Sequence, residues 1–364
     1  MFRIMIAALA AGMFAATACA NDTTAQFDNN GLVFLKTDSI EMRSEELFIS
    51  EARVRVRYRF FNKSDQDVIT RVAFPLPDMV WLYAVKSISV PADFSVRVDG
   101  QPVPVALEQK AMVGGVDRTA LLVRLGLPID PSADELREIL AALPQEKWPE
   151  LVEAGLAKIE TYTIAKEHKE LSGDWTMTST YHWQQTFPAR REIVVEHDYQ
   201  PSVGGQVGIG ASGEYFQSGK IEWPPEDMQR YCIDATFLAA ANRVAGTGKK
   251  PEDHYSEQYL DYVLKTGANW AGPIGSFRLV IDKGAPDNLV SFCGDGVKKI
   301  SPTAFEIRKT NFLPQDDLHV LLITKYRPDD AEAKKRVLRG SSVPNSRADP
   351  APQPGEKPTP DKAR

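Results

Sequence analysis

Cysteine, histidine and long apolar runs are all scarce in this chain of 364 residues, and each scarcity excludes something. Its three cysteines are Cys19, Cys232 and Cys293, too few for a disulfide-dense scaffold or a four-cysteine metal site. The five histidines, His168, His182, His197, His254 and His319, form no HExxH or other paired ligand motif, so no metal and no cofactor is expected. There is no GxSxG elbow, which leaves serine-hydrolase chemistry unsupported. Beyond residue 20 no stretch is apolar for long enough to span a bilayer. Basic charge is also short. With 43 Lys and Arg against 49 Asp and Glu, the balance excludes a nucleic-acid partner, which demands a basic surface.

What is present begins with residues 1–20. Arg3 opens them, Ile4 to Ala16 form an apolar centre, and Ala18-Cys19-Ala20 is a small-residue cleavage site before Asn21. The segment reads as a signal peptide, and the expected location is the periplasm. A lipoprotein anchored through Cys19 is the alternative, disfavoured because no leucine stands three residues before that cysteine. The cleaved chain carries 42 basic and 49 acidic residues. Cys232 and Cys293 remain, and in an oxidising compartment they are expected to form one disulfide.

The strongest local pattern is Leu47 to Pro77. Val54, Val56, Tyr58 and Phe60 alternate with Arg53, Arg55, Arg57 and Arg59, the period of a half-buried strand. Asn62 to Asp65 supply turn chemistry, and Val68, Thr70, Val72 and Phe74 resume the alternation, so a hairpin is expected here. Pro75 and Pro77 end it.

The chain falls into five stretches. After the leader (1–20), residues 21–128 read as an N-terminal β-sandwich, with Asn21 to Asn30 loose. Gly31 to Leu35, Trp81 to Val90, Val103 to Leu107 and Thr119 to Leu125 are further strands. Asp99-Gly100 marks a tight turn. Residues 129–172 are an inserted helical hairpin. Ser132 and Glu135 suggest a capping box, Leu136, Ile139, Leu140 and Leu143 give one apolar face, and Trp148 to Ile159 give another. Residues 173–326 are a second β-rich region, with helices over Tyr231 to Val244 and Tyr255 to Lys265 and four strands between Phe277 and Thr324. Residues 341–364 hold six prolines and no aromatic, a composition that favours disorder. The expected class is mainly β, of the α+β kind.

Several motifs dissolve on inspection. Gly208, Gly210 and Gly213 spell GxGxxG without the strand before and helix after that a dinucleotide needs. Asp174 to Thr178 imitates a metal-binding DxSxS box but follows Leu171-Ser172-Gly173 rather than a buried strand. His197-Asp198 cannot be a direct dyad, since adjacent strand residues face opposite ways.

Two features could bind something. The arginines Arg53, Arg55, Arg57 and Arg59 form a ladder suited to phosphate or carboxylate, unless glutamates such as Glu192 or Glu196 on a neighbouring strand pair with them. Trp175, Tyr181 and Trp183, with Phe187 and Tyr199, could stack against a glycan or apolar ligand, or fill a core.

Certain segments also carry a resemblance: Ala20 to Thr23, Ile40-Glu41-Met42, Leu47 to Ser50, Tyr58 to Asn62, Val72 to Pro77 and Val290 to Cys293. In these the chain resembles an uncharacterised family of secreted bacterial proteins, a domain of unknown function, over nearly the whole length after the leader. That family implies no activity, cofactor or catalytic residue. The Tyr58 to Pro77 section is also similar to the β-sandwich domain of vault and inter-alpha-trypsin-inhibitor proteins, which implies only a fold. The expected function is a non-enzymatic binding or interaction module, its partner an envelope protein, glycan or anionic lipid. The alternative is an envelope hydrolase with His182 or His197 as its base.

Overall fold

A computed structural model describes residues 21–28, 31–80, 90–91, 93–162, 168–209, 221, 223–245 and 255–325. The expected leader (1–20), residues 81–89 of the expected Trp81 to Val90 strand and the 341–364 tail lie outside them. The described chain is mainly β, with two large sheets, a smaller four-stranded sheet and helices at two sites.

The arginine-alternating strand, Val54–Asn62, has the expected faces. Val54, Val56, Tyr58 and Phe60 are buried, while the intervening arginines are exposed. Its hairpin partner is the preceding strand, Ile40–Ser50, reached by a turn in which Ser50 Oγ accepts from the Arg53 amide at 3.1 Å. The expected hairpin with Val68 to Phe74 is therefore corrected. Val68–Pro75 pairs with Thr23–Asp28 and Thr176–Phe187 in the other large sheet. Asn62 explains the crossing. Its buried side-chain amide donates to the carbonyls of Gln66 and Phe187, both at 2.8 Å, and its oxygen accepts from the Ser64 amide at 2.9 Å. These bonds turn the chain from one layer to the next instead of back along its own sheet.

Edge to edge, the eight-stranded sheet runs Lys298–Lys299, Ala304–Phe312, Ile274–Asp282, Ile40–Ser50, Val54–Asn62, Glu192–Tyr199, Ser95–Val98, Gln101–Val103. Ile274–Asp282 lies parallel to Ile40–Ser50, a pairing between residues more than two hundred positions apart. The seven-stranded sheet orders Val116–Asp117, Ala106–Val113, Thr176–Phe187, Val68–Pro75, Thr23–Asp28 and Gly31–Leu35, with Met79–Val80 beside Thr176–Phe187. The stretches 21–128 and 173–326 thus contribute strands to the same sheets.

One apolar core joins these layers. Phe60, Phe74, Trp183, Phe187 and Trp270 pack there edge to face or tilted, the arrangements aromatic rings prefer. In the four-stranded sheet (Gly204–Val207, Tyr255–Tyr262, Leu318–Lys325, Leu289–Phe292) the strand Leu318–Lys325 is buried on both faces. Val320 and Leu322 face the main core, while Leu321 and Ile323 meet the helices Pro225–Arg230 and Ala235–Ala245. A continuous apolar run is what such a strand requires.

Four local expectations are corrected. Thr119–Leu125 is a helix, ended by Gly126 at φ +70°, whose amide bonds Leu122 and Val123 carbonyls; Leu-rich runs of that length do not distinguish the two periods. Tyr255–Tyr262 is a strand, because pairing with Leu318–Lys325 overrides the helical spacing of its tyrosines. Ser132 does not cap: its hydroxyl donates to Asp130 Oδ1 at 2.7 Å, and the helix Leu136–Ala142 begins later, with no side-chain cap. That helix packs with Trp148–Glu153 over Ala111 and Trp175. Ile159 belongs to the hairpin Ala157–Tyr162 with His168–Gly173 instead.

Candidate functional site

The outer face of the eight-stranded sheet carries a row of charged side chains across six neighbouring strands. In register order these are Arg308, Arg278, Glu46, Arg57, Glu196 and Arg97. Every second residue of a strand points outward, so the arginine alternation in the sequence becomes this row once the strands align. A groove of about 670 Å³ lies over it, lined by Glu46, Phe48, Arg55, Arg57, Ser95, Arg97, Glu196, Asp198 and Arg278, among others.

Most of these guanidiniums have carboxylates. Arg57 meets Glu196 at 3.2 Å and Arg59 meets Glu192 at 3.3 Å, the two glutamates considered from sequence. Arg53 bonds both Asp93 and Asp198. Arg278 and Arg308 share Glu306 at 2.8 and 2.9 Å, and those two bonds hold the Glu306 carboxyl down to about 2. Arg55 and Arg97 differ. Among the described residues neither has a carboxylate within ion-pair distance. Arg55 lies over the Phe48 ring at 4.7 Å, and Arg97 donates to the Gly100 carbonyl at 3.4 Å. Both line the groove.

The aromatic residues lie elsewhere. Trp175 is buried against the helical cluster, its indole N–H donating to the Ile129 carbonyl at 2.8 Å. Tyr181 stacks on Phe94 with centroids 4.2 Å apart, and Trp183 is buried in the main core with Phe187 and Tyr199. Their rings are taken up by packing, so these residues form no open platform. Cys232 and Cys293 are joined, with Cα atoms 5.1 Å apart, tying the turn between two helices to the end of Leu289–Phe292.

A second polar constellation, invisible in the sequence pattern, lies inside the protein. Asn21 to Thr24, expected to be loose, are buried. Asn21 Nδ2 donates to Glu45 Oε2 at 2.9 Å, and Trp270 Nε1 donates to the Asp22 carbonyl at 2.6 Å. His197 Nε2 lies 3.0 Å from Asp22 Oδ1, and both side chains are inaccessible to solvent. Nearby, the hydroxyls of Tyr58 and Tyr262 are 3.1 Å apart. Burial pushes the Asp22 carboxyl up while His197 holds it back. Burial raises Glu45 to about 8; the Asn21 bond lowers it and the Asp22 charge adds to the rise. Burial likewise drives both tyrosines well above their ordinary range. The only sequence signal was a polar segment next to the cleavage motif.

This enclosure bears on catalysis. A base must reach its substrate, and His197 is sealed from solvent. His182 Nδ1 is 2.9 Å from the Arg71 guanidinium, and burial together with that cation lowers its pKa. His319 bonds Asp261 at 2.6 Å, and His254 lies outside the described residues. Among the described residues there is no cluster of acids, histidines or cysteines able to hold a metal, and no helix long and apolar enough to cross a membrane.

Comparison with known proteins adds a family. No curated protein matches the chain. A crystal structure of a Legionella pneumophila protein, provisionally assigned to nutrient binding, aligns with 15% identity over 84% of this chain and 70% of its own. The TM-score of that alignment is 0.39. The domain of unknown function DUF4424 matches residues 20–321, most of the sequence. The chain belongs to that family.

Proposed function

We propose that this protein is an exported binding module that takes an anionic ligand in the groove over the eight-stranded sheet. The observation that carries the reading is the pair Arg55 and Arg97, groove-lining guanidiniums without a carboxylate partner among the described residues, whereas Arg57 and Arg278 in the same groove have one. A guanidinium fork suits carboxylate and phosphate oxygens, and the nearby ion pairs hold the surrounding side chains in place. The leader and the Cys232–Cys293 bond support action in an oxidising compartment, the periplasm. The ligand class is a phosphate- or carboxylate-bearing envelope component.

The test is titration calorimetry with inorganic phosphate, citrate and a phosphorylated disaccharide at two salt concentrations. Salt-sensitive binding of at least one, lost in R55Q/R97Q and kept in R59Q, is the expected result. Binding unchanged in the double variant would overturn the assignment.

A further inference from the structure

The buried cluster around Asn21 is out of balance. Two carboxylates, Asp22 and Glu45, share the interior with one imidazole, and a buried charge without a counter-charge is costly. Each carboxylate also keeps one oxygen, Asp22 Oδ2 and Glu45 Oε1, with no hydrogen-bond donor among the described residues. Buried acceptors are rarely left so.

The same place holds Asn21, the residue that follows the expected cleavage site. The Asn21 backbone nitrogen donates to Thr266 Oγ1 at 2.6 Å, and the Thr266 hydroxyl donates back to the Asn21 carbonyl at 2.5 Å. The Asn21 side chain reaches Glu45 from the same residue. Gly267 makes room for it: a Cβ there would meet Asn21 Nδ2 at 2.8 Å. Residue 21 is thus held by Thr266, Gly267 and Glu45.

We propose that Ala20–Asn21 is the maturation bond and that the ammonium group released at Asn21 is the buried counter-ion of the Glu45–Asp22 cluster. Hydrolysis by a signal peptidase adds one water. The C–N bond breaks, the hydroxyl of water goes to the Ala20 carbonyl and its proton to the Asn21 nitrogen, and the proton of the new carboxyl then passes to that amine, leaving an Ala20 carboxylate and an Asn21 ammonium. A peptide nitrogen has one N–H, which Thr266 already accepts; an ammonium has three, leaving two for the two orphaned oxygens. The charge count then closes as well, with one ammonium for Glu45 beside the His197–Asp22 pair. Removal of the leader completes the core, and any residue retained before Asn21 leaves it one cation short.

The experiment compares protein exported with its own leader against the same chain carrying one extra alanine before Asn21. Intact mass should place the start of the exported chain at Asn21. A start at Cys19 or Ala20 would overturn the proposal. Its α-amine should resist acylation in the folded protein and react once denatured, while surface lysines react in both. Free labelling of the folded α-amine would also overturn it. The substitution E45Q should lower Tm in the chain starting at Asn21 and raise it in the extended chain, by at least ~3 °C in each direction. The same sign in both chains would refute the counter-ion role, and the labelling result decides if a variant fails to fold.

Discussion

His197 and Asp22 form a pair sealed from solvent, with Nε2 and Oδ1 3.0 Å apart, joining a strand near the middle of the chain to the segment that begins at Asn21. Neighbouring rings hold the imidazole: Phe74 lies 5.0 Å away and Phe94 is stacked at 5.4 Å, centroid to centroid. The pair therefore fastens the segment Asn21 to Thr24 to the aromatic core.

Breaking this pair should be expensive. D22N and H197F, each alone, are expected to cost ~3–5 kcal/mol, because each leaves a buried partner behind. The double variant should cost less than the sum of the two. Urea unfolding of all four proteins measures the coupling.

Stability of a chain that retains a residue before Asn21 should depend on pH through Glu45. Its folded pKa of about 8 lies above the ordinary 4.5, so the folded state holds the extra proton between these values. Stability is then full near pH 4.5 and falls as pH rises towards 8. The titratable groups around Glu45 are Asp22, Tyr58, Tyr262 and His197. E45Q should reduce the slope by the share Glu45 contributes, and Tm measured across this range checks it.

Internal pairing on the outer face should contribute little to stability. R57Q/R59Q removes exposed pairs to Glu196 and Glu192, and each is worth ~0.2–1 kcal/mol. The expected result is a small drop in Tm, shrinking in high salt.

The Cys232–Cys293 bond spans 61 positions, for which loop-closure entropy gives up to ~4 kcal/mol. C232S/C293S should lose no more than that. Under dithiothreitol the native chain should fall towards the variant while the variant does not change.

Gly275 should not tolerate a side chain. A Cβ there would lie 2.6 Å from the Arg43 carbonyl oxygen, where the facing strand is irregular in register, and backbone cannot move aside cheaply. G275A should destabilise the protein by ~1–3 kcal/mol in urea unfolding.

The sequence determined the properties that depend on near neighbours along the chain. Alternation put Val54, Val56, Tyr58 and Phe60 on one face and the arginines on the other, since successive strand residues point opposite ways. Asp99-Gly100 takes the positive φ angles its turn needs, at 48° and 79°. The apolar strands after Phe277 were legible as well. The tertiary structure decided which strands became partners. Val68–Pro75 left the expected hairpin for the other sheet, and Tyr255–Tyr262 became a strand, because distant pairing outweighs local spacing. It also set the unequal pairing of the arginines, since register places Glu196 between Arg57 and Arg97 but gives Arg97 no carboxylate of its own. Asn21 and Asp22 looked like loose polar residues because nothing local marks a buried one. Their acceptors and donors, Glu45, His197, Thr266 and Trp270, come together only when strands far apart in the chain enclose them.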